Sequence, residues 1–171
     1  MFLDKKKLIR TLKLMDNAKK LHFFGEGGSS VLAFDAYHKF IRTKYNCNYI
    51  FDYHLQLSYA TKLGKDDLVL LFSHSGSTVE IIKIAKVLKK KGIHIISFTG
   101  SPNSELVDLS DIAYILYTEE VAFGLESLGA RNLYSILIDI LWASLTYHDE
   151  DKSKNVIKNI RAALSSSKPK S

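Results

Sequence analysis

The sequence predicts a three-layer α/β fold: a five-stranded parallel sheet with helices on both faces. From residue 20 onward, short apolar runs alternate with amphipathic stretches. The runs are apolar at successive positions rather than every second one, as in strands covered on both faces. Short links between strands and helices then imply crossovers that return each strand parallel to the last.

A leading helix over about residues 4–19 precedes the core. The strands are Leu21–Phe24, Asn48–Phe51, Leu68–Phe72, Ile93–Phe98 and Ala113–Tyr117. Between them, Val31–Thr43 repeats apolar groups at Val31, Phe34, Tyr37 and Ile41. His54–Leu63 reads as a shorter helix. Val79–Leu88 sets Ile81, Ile84, Ala85 and Leu88 on one side and turns Lys83, Lys86, Lys89 and Lys90 outward. A long helix from about Leu125 to Tyr147 carries Leu133, Ile136, Leu137, Ile140, Leu141 and Leu145, more apolar surface than one side of a monomer needs. It serves the core or a dimer surface. A basic amphipathic helix over about 152–164 follows, and the terminal SSSKPKS is expected to fray. The 171 residues suit one domain, 1–171, with its core at about 20–148; of two prolines, the first is Pro102.

Composition narrows the function. Hydrophobic residues make up 46% and charged residues 25%, as in ordinary globular proteins. The single cysteine, Cys47, permits no internal disulfide, which suits a reducing cytoplasm, and it reads as a small packed thiol. No apolar run approaches the roughly 20 residues that span a bilayer, and the basic start lacks the apolar stretch of a secretion signal. A net charge of +6 suggests nucleic acid, but the clusters Lys5–Lys7, Lys19–Lys20 and Lys89–Lys91 are short and lack interleaved aromatics. They read as solvated helix faces that still assist capture of a small anion. His22, His38, His94 and His148 show no metal-ligand spacing.

Two loops at strand ends carry the chemistry. The first, Gly25–Ser30 (GEGGSS), joins strand 1 to a helix. Its glycines let backbone approach a ligand, the helix N-terminus favours an anion, and Ser29 and Ser30 can cap the helix or donate hydroxyls. No GxxxxGK[ST] loop is present. The dinucleotide pattern GxGxxG fits at Gly25 and Gly27 and fails at Ser30, while Asp52 could stand in for its acidic ribose-binding residue. A flavin-phosphate loop is a further possibility. The second loop, Ser73–Thr78 (SHSGST), places Ser73, Ser75, Ser77, Thr78 and one glycine directly before a helix. Capping by Ser75 or Ser77 accounts for part of this array, and a tetrahedral phosphate accounts for all of it. In the strand order 2-1-3-4-5, the flavodoxin-like order assumed here, both loops flank one crevice.

GEGGSS followed by SHSGST, with VEIIKIAKVLKKKG and IHIISFTG after it, resembles the SIS (sugar isomerase) family of phosphosugar-binding domains over about Leu21–Trp142. FDYHLQLSYATKL, with Asp52, His54 and Gln56, and SLGARNLYSILIDILW, with Arg131, are most similar to the sugar-sensing domain of RpiR-type transcriptional regulators. The resemblance implies that Ser73, Ser75, Ser77 and Thr78 hold the phosphate of a phosphorylated sugar and that Gly27, Ser29 and Ser30 line its sugar side. It implies no metal and no cofactor, a homodimer or tetramer in the cytoplasm, and contact with DNA only through a separate helix-turn-helix domain. About twenty residues before strand 1 leave no room for that domain here, so an excised regulatory domain and a free-standing SIS protein are both open.

SIS enzymes isomerise sugar phosphates or eliminate groups from them, and need an acid or base near C1–C2. Glu126 is the candidate, diluted by Glu119 and Glu120 and equally explained as an acid at a helix start. His74 is either a loop histidine or a ligand contact, and His54 a cap, a packing group or a base. Glu80 reads as a stabiliser of its helix start. A sensing domain is the first expectation; a sugar-phosphate isomerase or lyase is the alternative.

Overall fold

The computed structural model describes residues 4–117 and 128–166. Twelve elements follow in order: α1 Lys5–Asn17, β1 Lys20–Gly25, α2 Gly28–Phe40, β2 Cys47–Tyr49, α3 Tyr53–Ala60, β3 Asp67–Phe72, α4 Val79–Lys90, β4 His94–Thr99, α5 Glu105–Leu109, β5 Ile112–Ile115, α6 Leu128–His148 and α7 Glu150–Ser166. All four strand pairings are parallel, in the order β2-β1-β3-β4-β5. The assumed order is the observed one.

Alternate residues of each inner strand feed two separate cores. Leu21, Phe23, Leu68, Leu70, Phe72, Ile96 and Phe98 meet one helix layer, with Met15 of α1, Leu32, Ala33, Ala36 and Phe40 of α2, and Leu137, Leu141 and Leu145 of α6. Phe24, Val69, Leu71 and Ile95 meet the other, with Ala60 of α3, Ile81, Ile84, Ala85 and Leu88 of α4, and Leu106 of α5. A strand buried on both faces cannot be polar at every second residue, which is why the runs are continuous.

Three expectations change. Of the expected stripe, Tyr37 packs against the core, but Val31, Phe34 and Ile41 are 57%, 49% and 43% exposed. The sheet takes the opposite stripe of α2, where Ala33 and Ala36 allow close approach. β2 is shorter than expected and only half-buried, because it is an edge strand paired to β1 alone. The five-residue α5 was not anticipated, since it is too short to show a period. α6 supplies core through Tyr134, Leu137, Ile138, Leu141 and Leu145, while Ile136 is 49% exposed.

Candidate functional site

β1 and β3 are neighbours that end level, Gly25 opposite Phe72. The segments leaving them, Glu26–Ser30 and Ser73–Thr78, therefore start side by side, where the chain switches direction across the sheet. Two features force glycine. A Cβ on Gly25 would lie 2.7 Å from the Ser29 carbonyl oxygen. Gly76 has φ +65° and packs so closely that a Cβ would meet Ser104 Cβ at 2.4 Å and Thr99 Oγ1 at 2.8 Å.

In the second segment, Ser73 is almost fully buried, and its Oγ lies 2.9 Å from Thr78 Oγ1. Ser75 Oγ is 3.4 Å from the same Thr78 hydroxyl and accepts from the Ser77 amide at 3.2 Å. Ser75 and Ser77 are exposed. Thr78 occupies the N-cap position of α4, yet no side chain caps that helix, so capping by Ser75 or Ser77 does not explain the array. The first-turn amides of α4 and a cluster of hydroxyls thus lie together at one helix start, with Glu80 in the same turn.

The loop is fastened at its base. The His74 carbonyl accepts from the Gly100 amide at 2.8 Å and from Thr99 Oγ1 at 3.2 Å. The His74 Nδ1 lies 2.9 Å from the hydroxyl of Tyr134 on α6. Arg131, half-buried, stands one turn before that tyrosine.

In the first segment, α2 starts at Gly28, three residues before the expected start. Gly27, with φ +55°, is its N-cap, and no side chain caps it. Ser29 and Ser30 are thus inside the first turn rather than ahead of it. Ser30 Oγ donates back to the Gly27 carbonyl at 2.6 Å.

Several residues given roles from sequence stand elsewhere. Asp52 caps α3, accepting from the Leu55 amide at 2.9 Å, which accounts for it without a ribose. His54 is exposed on α3, its ring 5.0 Å from that of Tyr53. His22 is fully buried at 3.6 Å from Asp67. Burial pushes the Cys47 thiol up to about 12, the state of an inert packed group. Glu126, with Glu119 and Glu120, lies outside the described residues. Among the described residues no group of three His, Cys, Asp or Glu side chains could hold a metal ion.

Two neighbours received no role from sequence. Gln56 is fully buried on α3, and its Nε2 donates towards Glu26 Oε1 at 3.1 Å and the Ile50 carbonyl at 2.9 Å. Burial, then the charges of Glu80 and Asp52, hold the Glu26 carboxyl above the ordinary glutamate range, against the Gln56 hydrogen bond. Glu26 lay inside GEGGSS without a role; its place between two glycines at a strand end was the signal that could have found it.

The SIS domain family model matches residues 14–144. The chain is 29% identical over 164 residues to an uncharacterized HTH-type transcriptional regulator of Thermotoga maritima, covering 96% of this chain and 58% of the relative. It is 29% identical over 136 residues to the HTH-type transcriptional regulator RpiR of Escherichia coli, covering 80% and 46%. Among solved structures, the Vibrio vulnificus NanR protein complexed with ManNAc-6P superposes with a TM-score of 0.87 at 24% identity, over 98% of this chain and 63% of that one. The chain thus spans about half the length of the curated regulators it matches.

Proposed function

The chain belongs to the SIS domain family, and on that premise we propose that it is the phosphosugar-binding regulatory domain of an RpiR-type transcriptional regulator. The observation that carries the proposal is the Ser73–Thr78 loop. The hydroxyls of Ser73 and Ser75 lie 2.9 and 3.4 Å from that of Thr78, before a helix with no side-chain cap. Ser73, Ser75, Ser77 and Thr78 hold the phosphate there, with the α4 amides behind them. Gly27, Ser29 and Ser30 line the sugar side. The solved NanR structure, whose ligand is a sugar phosphate, supports this use of the fold. Contact with DNA belongs to a separate helix-turn-helix domain, in keeping with the fraction of the relatives that the chain spans.

The domain works in the cytoplasm as a homo-oligomer. Val31 and Phe34 on α2, with Ile41 just after it, form an outward apolar stripe that a second copy would cover. No helix among the described residues is long and apolar enough to cross a membrane. A monomer in sedimentation at micromolar concentration would contradict the oligomer.

The test is a thermal-shift panel of sugar phosphates, free sugars and dinucleotides. A ligand at 100 times its dissociation constant should add about 2.7 kcal/mol. Ser75→Ala removes an exposed hydroxyl, so it should weaken a sugar phosphate about ten-fold while hardly moving the melting temperature. Stabilisation by dinucleotides alone, or equal affinity for a sugar and its phosphate, would refute the assignment. To separate sensor from isomerase or lyase, the bound sugar phosphate is followed by NMR. Turnover that Glu126→Gln abolishes would establish the enzyme.

A further inference from the structure

The amino edge of the sheet, opposite the two strand-end loops, holds a basic cavity, and we propose that it is a second anion site for a small phosphate-bearing metabolite. The inference does not depend on the phosphosugar reading of Ser73–Thr78. The cavity has a volume of about 600 Å³, enough for a small ligand. Lys19, Lys20 and Lys62 line it, together with His22 and Asp67. Lys20 and Asp67 open β1 and β3 and stand opposite one another in the pairing. β1 has six residues, so this edge lies about 16 Å from the end that leads into Glu26.

Charge is the first observation. Lys19 and Lys20, read from sequence as part of a solvated helix face, stand instead at the start of β1. Among the described residues, Lys19, Lys20 and Lys62 form no ion pair, whereas Lys39, Lys44 and Lys86 each hold a carboxylate. Asp67 is the carboxylate that lines the cavity, and its Oδ2 already accepts from the Gly64 amide at 2.9 Å. Three ammonium groups against one carboxylate leave an excess of positive charge. Helices α3 and α4 end at this edge rather than start there, so no free helix amides are offered. Lysine side chains have to hold an anion bound here.

A buried donor is the second observation. His22 is fully buried, and its Nε2 has no hydrogen-bond partner. Its Nδ1 lies 3.5 Å from the side-chain nitrogen of Asn48, a donor, which leaves the proton of the neutral ring on Nε2. Asp67 Oδ1, at 3.6 Å, is too far to accept that proton. An N–H without an acceptor thus lies beside the carboxylate under the cavity, and its dipole adds to the field of the lysines. A phosphate monoester concentrates close to two negative charges and three acceptor oxygens on one centre. A dicarboxylate spreads the same charge over two ends, so it fits less well.

A nitrogen-15 NMR titration of the chain at pH 7 tests this with inorganic phosphate, glycerol 3-phosphate and malonate. The amides of Lys20, His22 and Asp67 should shift saturably with both phosphates, with half-saturation at about 1 mM or below that rises as salt is added. Lys19→Gln combined with Lys62→Gln changes two exposed residues. The pair should weaken these shifts about ten-fold and leave those of Ser73–Thr78 and the melting temperature unchanged. Ser75→Ala should leave the shifts at Lys20, His22 and Asp67 in place. No saturable shift there overturns the site, and so do shifts that Ser75→Ala removes, since they would originate in the strand-end loops. A stronger response to malonate than to either phosphate overturns the phosphate class. Affinity unchanged in the double lysine variant overturns the role of the lysines.

Discussion

Gly76 shows how closely the Ser73–Thr78 loop is fitted to the strand ends beside it. Its φ of +65° is a region L side chains rarely adopt, and an added Cβ would overlap Ser104 and approach Thr99 Oγ1. Gly76→Ala should therefore destabilise the protein by about 2 kcal/mol or more in urea unfolding and displace the hydroxyls on either side. At the opposite end of β1, His22 makes a different prediction. It is fully buried, its Nε2 has no hydrogen-bond partner, and Asp67 at 3.6 Å offsets only part of the desolvation. Burial lowers its pKa from 6.5 to about 4. Below pH 6.5 the unfolded chain takes up a proton that the folded one refuses, so stability is complete above that pH and declines as pH falls towards 4. The loss is at most about 3 kcal/mol, and it should be absent from the pH dependence of melting in His22→Gln. An unchanged slope in the variant would show that other groups carry it.

At the scale of elements, the Ser73–Thr78 loop is tied to α6 through the His74–Tyr134 contact of 2.9 Å. Tyr134→Phe keeps the buried ring and removes the hydroxyl. Since His74 is only half-buried, water can replace that partner, and the loss should be about 1 kcal/mol in thermal unfolding. A larger loss of sugar-phosphate affinity than of stability would mean that α6 positions the loop. This contact was not legible in the sequence, because 60 positions separate the two residues and no periodicity links them. The loops themselves were legible, because glycines and hydroxyls between a strand and a helix carry a local meaning. Helix α4 was legible too: its one apolar stripe, Ile81, Ile84, Ala85 and Leu88, is the stripe that is buried. Helix α2 was misread because it has two apolar stripes. Size favours Val31, Phe34 and Ile41, but the sheet accepts the one with Ala33 and Ala36. Hydrophobicity alone cannot choose between them; the distance from helix to sheet does.

For the whole molecule, the continuous strand runs indicated two covered faces, yet not which residue served which face. Leu21 and Phe23 go to one core and Phe24 to the other. The two cores share no residue, and the sheet backbone separates them. Leu141 of α6 is in the first, Ile84 of α4 in the second, and each is almost fully buried. Leu141→Ala and Ile84→Ala should each destabilise by about 3 kcal/mol through lost burial and the cavity left behind. Side chains on opposite faces have no common neighbour to relax into either cavity. The double variant should therefore lose the sum of the two within about 0.5 kcal/mol, as distant sites do. Urea unfolding of the four proteins measures this, provided the double variant still folds; the pair Leu137→Ala and Ile81→Val asks the same question more mildly. A coupling above about 1 kcal/mol would mean that strain passes through the sheet. The strand ends carrying Glu26 and Ser73 would then feel packing changes in either helix layer, and a ligand bound between them could act on both.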